Sequence, residues 1–209
     1  YNTIHQMKNL SMFMFFGLAR FVFMACESET ENEPQLPLVA EMVEDLSAPN
    51  DVIDRTTGQV LEEMPFQYFS LSENRVMTVD ESWDLAFKGT TIRTNASKNV
   101  SAALVDGIFQ EIKEIPETAS FALDTETTLA IPTGSGNGWY SYNSTTHAIK
   151  PIPGKVILLQ TSSGNYAKVE ILSYYKGNPS DEELDPLTDE GATYTFQYVL
   201  QPNGTTTFE

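Results

Sequence analysis

Short apolar runs of period two organise the chain from Leu38 onward. Leu38–Leu46 and Phe66–Leu71 are brief apolar or alternating stretches. Ser82–Arg93 reads as a strand with Trp83, Leu85 and Phe87 on one face and Asp84, Ala86 and Lys88 on the other. Trp139–Tyr142 opens another. Lys155–Thr161 is almost continuously apolar, as expected of a strand buried on both faces. After the turn Ser162-Ser163-Gly164-Asn165, residues Tyr166–Tyr175 alternate, with Ala167, Val169 and Ile171 opposite Lys168 and Glu170. The two runs predict a β-hairpin. Thr193–Leu200 puts Tyr194, Phe196, Tyr198 and Leu200 on one face, and Pro202-Asn203-Gly204 turns the chain into a short last strand. Helical periodicity is confined to Val100–Ile115, where Gly107 weakens it and Pro116 ends it. The pattern predicts a mainly β fold of antiparallel strands with at most one short helix.

The segment before this domain has a different texture. Lys8 precedes an apolar run from Leu10 to Ala25, and Cys26, the sole cysteine, follows the small Ala25. This is the layout of a bacterial lipoprotein signal with its lipid-acceptor cysteine. Arg20 inside the run, and the bulk of Phe23 and Met24, depart from the usual pattern. A retained membrane anchor is the alternative, but a span needs roughly 20 apolar residues and this run is shorter and interrupted. Residues 1–25 are therefore expected to be upstream sequence plus a removed signal, residues 26–37 an acidic tether, and residues 38–209 the folded domain. The tether (Glu27–Pro37) carries two prolines and few apolar residues. It resembles the surface-export signal of some Gram-negative lipoproteins, and it also suits a plain solvated linker.

The formal charge is -17, and -19 once Lys8 and Arg20 are removed with the signal. Such a surface argues against nucleic acid and against charge-driven binding to anionic lipid. A hydrophobic content of 41%, with 11% aromatic, excludes a disordered chain.

Catalytic chemistry finds little support. No GxSxG, HExxH or Walker loop occurs. Thr133–Gly138 is glycine-rich but lacks the lysine and helix a phosphate loop requires. Asp181, Glu182, Glu183, Asp185, Asp189 and Glu190 crowd one loop that either binds Ca²⁺ or is simply solvated. Asp84 in its strand either does chemistry or fixes a neighbouring turn. No set of residues meets the requirements of an acid, base and nucleophile, so the chain is expected not to be an enzyme. Binding remains. His147, the one histidine after Cys26, lies just beyond Trp139, Tyr140 and Tyr142. A neutral imidazole among aromatics suits an axial ligand to haem iron, while sequence chemistry alone favours a local turn cap. Met42, Met64 and Met77 are the methionines left to supply a thioether.

Three pieces together resemble one family: Ser82–Phe87 followed by Thr91–Asn95; Lys155–Thr161 with Gly164–Val169 and Ser173–Tyr175; and Tyr194–Tyr198. With the lipoprotein start, the chain resembles the HmuY family of surface haem-binding lipoproteins. The resemblance runs from about Leu38 to the C-terminus. It implies an all-β domain on a lipid anchor at the outer-membrane surface. It also implies haem as cofactor and a TonB-dependent outer-membrane receptor as the partner that takes the haem. In the histidine-ligating members, one axial histidine follows the tryptophan strand; the equivalent register here falls nearer Ser144, with His147 displaced from it. The segment from Ala119 to Gly138, where the other ligand is expected, holds neither histidine nor methionine. The resemblance therefore supports the fold better than a pair of axial ligands; a haem-binding reading expects His147 as one ligand, opposite Met77, Met64 or a tyrosine, with Trp139, Tyr140 and Tyr142 lining the cleft. A structural or adhesive module of the same fold, and a binder of another flat ligand, are the competing readings.

Overall fold

The computed structural model describes residues 37–209. The expected signal, Cys26 and the tether up to residue 36 lie outside the described residues. Thirteen strands run in the order β1 (Glu41–Ser47), β2 (Val52–Ile53), β3 (Val60–Glu62), β4 (Gln67–Ser70), β5 (Arg75–Met77), β6 (Leu85–Lys88) and β7 (Thr91–Thr94). They continue with β8 (Ser101–Asp106), β9 (Tyr140–Tyr142), β10 (Ile149–Pro151), β11 (Lys155–Gln160), β12 (Tyr166–Ser173) and β13 (Thr193–Gln201). A five-stranded sheet is ordered β1-β13-β12-β11-β8, and a four-stranded sheet β5-β4-β6-β7. Every pairing is antiparallel. The hairpins β2–β3 and β9–β10 form separate two-stranded sheets.

The main core lies where the two large sheets meet. Phe69, Leu85, Phe87 and Ile92 of the smaller sheet share one cluster with Ile157, Val169, Tyr194, Phe196 and Tyr198 of the larger. Phe87 stacks on Phe196 with ring centroids 5.5 Å apart, and Phe69 meets the same ring edge-on. Two tyrosines in this core keep their hydroxyls satisfied across the sandwich. Tyr194 Oη donates to Gly89 O at 2.7 Å, and Tyr198 Oη to Leu71 O at 2.8 Å. The all-β expectation and the β11–β12 hairpin are both observed.

The second face of the five-stranded sheet is covered as well. Phe109, Ile112 and Phe208 pack with Val156, Leu158 and Val199. This explains why β11 reads as a continuous apolar run. It also corrects the assignment of Lys168 to a polar face. Its side chain is buried here, 4% exposed, with Nζ donating to the carbonyls of Phe109 (2.7 Å) and Ile112 (2.8 Å). The ammonium also lies over the rings of Phe109 and Phe208. Burial, and then the charge of Lys113, push its pKa below the ordinary lysine value.

Two further expectations are revised. Ser82–Arg93 is not one strand but a hairpin. Gly89 has φ +54° and turns β6 into β7. Trp83 precedes β6 and packs against Tyr68 at 4.9 Å. Tyr68 pairs with Ala86, so Trp83 lies on the face opposite Leu85 and Phe87. The helical periodicity of Val100–Ile115 yields β8 instead, because Ser101–Asp106 pairs residue for residue with β11. The chain beyond it, Phe109–Ile115, is the strap that covers Lys168. The helical content of the described residues is a single 3-10 turn, Ala96–Lys98.

Candidate functional site

The hairpin β9–β10 carries the residues singled out in the sequence. It is anchored from below by Trp139, 2% exposed, whose Nε1 donates to Thr90 O at 3.0 Å in the β6–β7 turn. Gly138 before it admits no side chain, since a Cβ there would collide with the carbonyl of Pro132. The glycine-rich loop is wound against β9. Gly136 N donates to Tyr140 O at 2.9 Å, and Tyr142 N donates to Ser135 Oγ at 2.8 Å. The loop therefore caps the hairpin backbone. Tyr140 is also buried, and its hydroxyl accepts from Thr90 Oγ1 at 3.3 Å.

The hairpin tip is built by Asn143, whose Oδ1 accepts from the N–H groups of Thr145 (2.9 Å) and Thr146 (3.2 Å). His147 closes the tip at φ +62°. Its Nδ1 lies 2.8 Å from the Tyr142 hydroxyl. Both side chains are exposed. When Nδ1 carries the proton and donates to the phenol oxygen, the Nε2 lone pair is left for an incoming metal.

The structure thus brings together Tyr142 and His147. Trp139 and Tyr140 lie directly beneath them in the chain but point into the core. Met77 is elsewhere: it is 5% exposed on the edge strand β5, on the same face as its pair partner Tyr68. Met64 is half-buried, with its backbone N–H on Asp51 Oδ1 at 2.8 Å. Met42 is exposed on the edge strand β1. Cys26 lies outside the described residues.

Other candidates resolve into local structure. Asp84 is buried, and its Oδ2 accepts from Leu71 N at 2.8 Å, so it fixes the turn after β4. Burial raises its pKa above the ordinary 3.8. In the acidic loop, Glu183 accepts from Ser180 Oγ at 2.7 Å, Asp189 from Asp185 N at 2.9 Å, and Glu190 pairs with Lys176 at 2.9 Å. Among the described residues no group of three or more His, Cys, Asp or Glu is placed to hold a metal ion. Nor is any helix there long and apolar enough to cross a membrane.

One feature of the site had no signal in the sequence. A cleft of about 440 Å³ runs between β10, β12 and the loop after β12, floored by Ile149, Ile171, Tyr174 and Tyr175. Two contacts hold the hairpin over it. Ile149 N donates to Tyr175 Oη at 3.0 Å, and Lys150 pairs with Asp181 at 2.7 Å. The partners lie 26 and 31 residues apart, so spacing could not reveal them.

The HmuY protein family matches residues 63–198, a stretch that includes the β9–β10 hairpin. The chain belongs to the HmuY family. No curated protein matches the sequence. Similar solved structures include the apo HmuY analog TFO of Tannerella forsythia, 14% identical over 79% of this chain and 96% of that one, with a TM-score of 0.44. Apo PinO of Porphyromonas gingivitis is 15% identical over 78% and 97% of the two chains, with a TM-score of 0.46. At the hairpin tip within the matched stretch stands one imidazole with a hydrogen-bonding hydroxyl on its Nδ1.

Proposed function

We propose that this HmuY-family chain is a lipid-anchored protein of the outer-membrane surface, with Cys26 as the lipid acceptor, that captures haem and passes it to a TonB-dependent receptor. Family membership across the hairpin carries this reading, and the Tyr142–His147 contact supports it. His147 is the axial ligand, and Tyr142 is a positioning residue that holds the imidazole. Met77 is buried and Met64 half-buried, so His147 is the side chain that would hold the group. The work of the chain is binding; bound haem supplies the iron, and no reaction is assigned to the protein. Hemin added to the purified protein should give a saturable Soret change at one equivalent. His147→Ala should weaken that binding at least tenfold, on the order of the loss expected for a metal ligand. An unchanged titration in the variant would remove His147 from the site.

The exposure of His147 favours a second reading, in which the same fold is a structural or adhesive surface module. Absence of any saturable Soret change in the wild-type protein would overturn haem capture.

A further inference from the structure

A separate cleft of about 460 Å³ opens at the outer edge of the four-stranded sheet, remote in sequence from the hairpin tip. Trp83, Arg93, Asn95, Asp124 and Glu126 line it. Trp83, Asn95, Asp124 and Arg93 each have partners, while Glu126 is exposed. The half-buried Trp83 ring packs on Tyr68, its Nε1 donates to Val79 O at 3.3 Å, and its backbone carbonyl accepts from Asn95 Nδ2 at 3.1 Å. Asn95 is itself buried, 4% exposed, and takes Ser97 Oγ at 2.7 Å. Asp124 is fixed by two backbone donors, Thr94 N at 2.9 Å and Ala130 N at 2.8 Å. Arg93 lies over the Phe66 ring at 5.6 Å. It makes no ion pair among the described residues, in a chain of formal charge -17. Thr94, which also lines the cleft, carries the one buried side-chain polar atom among the described residues with no hydrogen-bond partner.

The mixture decides the ligand class. An anion would meet Arg93 but also Asp124 and Glu126. A cation would meet the carboxylates but also the guanidinium. A purely apolar ligand would strand all three. A neutral ring with an apolar C–H face and several hydroxyls satisfies them together, with its face on the indole, its oxygens accepting from Arg93, and its hydroxyls donating to the carboxylates. A volume in the hundreds of cubic ångströms is ordinary for a small-ligand site, and a pre-ordered platform lowers the entropic cost of binding. We propose that this cleft is a saccharide-binding site, independent of the haem reading.

The test is titration of the full chain in detergent micelles with D-galactose, D-mannose, N-acetyl-D-glucosamine and D-glucuronate, followed by calorimetry and saturation-transfer NMR. At least one neutral sugar should bind saturably. Trp83→Leu and Arg93→Gln should each weaken it about tenfold, the effect of losing one good contact. Glu126→Gln, on an exposed loop where folding is not at stake, should weaken it measurably. His147→Ala should leave it unchanged. The proposal is overturned if no sugar binds saturably, if only the acidic sugar binds, or if binding survives intact in folded Arg93→Gln and Glu126→Gln proteins. None of these outcomes bears on the hemin titration.

Discussion

The hydroxyl of Tyr142 stands 2.8 Å from Nδ1 of His147, across the tip of the β9–β10 hairpin. The contact restrains an otherwise exposed imidazole and selects which nitrogen faces outward. Tyr142→Phe removes the oxygen and keeps the ring. Its hemin affinity should fall about tenfold, the lower end of what second partners of metal-binding histidines contribute. Soret titration of both proteins checks this, and equal dissociation constants would show that Tyr142 does not position the ligand.

Trp139 ties the hairpin to the core. Truncation to Ala removes a buried indole and should cost about 4 kcal/mol in urea unfolding. Trp139→Phe refills most of the space but leaves Thr90 O without its donor. It should cost about 2 kcal/mol. A Phe variant as unstable as the Ala variant would mean that the hydrogen bond, rather than ring volume, is decisive.

Lys168 holds the strap through the carbonyls of Phe109 and Ile112. In Lys168→Met the stem is replaced by similar apolar bulk, while two buried carbonyls lose their donor. Stability should fall by about 2 kcal/mol, and amide exchange should accelerate in residues 109–115 before the rest of the sheet. Uniform exchange across the domain would count against a strap that opens by itself.

Asp84 has a pKa raised by burial, so the unfolded carboxyl loses its proton first as pH increases. Above about pH 4 the folded state holds the extra proton, and the contribution of Asp84 to stability declines until the pH passes its folded value. Asp84→Asn keeps an acceptor for Leu71 N and abolishes this decline. The variant should therefore gain on the wild type as the pH rises above about 4. Glu81, held down to about 2 first of all by its hydrogen bond to Arg75, titrates below this window. Parallel pH profiles for the two proteins would refute the assignment.

Much of the larger sheet was legible because local pattern and tertiary pairing agree there. The turn at Ser162–Asn165 and the alternation of Ala167, Val169 and Ile171 specify β12 without outside information. Lys168 was not legible, since alternation says which face it occupies but not that a strap from residues 109–115 covers that face. Trp83 was misplaced for a related reason: its sequence register continues β6, but the chain reaches β6 only at Leu85, and the indole finds Tyr68 on the other side. Val100–Ile115 has helical spacing, yet long pairing with β11 outweighs a weak local preference.

The same division holds for the candidate sites. His147 and Tyr142 are five residues apart, close enough for a hairpin to join them, and the sequence alone singled out both. The Lys150–Asp181 clasp and the Trp83–Arg93–Asp124 cleft depend on which loops meet at the ends and edges of the sheets. By itself the sequence determined the antiparallel β class and the central hairpin, because these rest on period-two patterning and short-range turns; the family followed from the resemblance of its motifs. Only the tertiary structure decided that Lys168 is buried, that Trp139 and Tyr140 face the core, and that Met77 is shut away on β5. Burial depends on what packs from afar, and local order does not encode it.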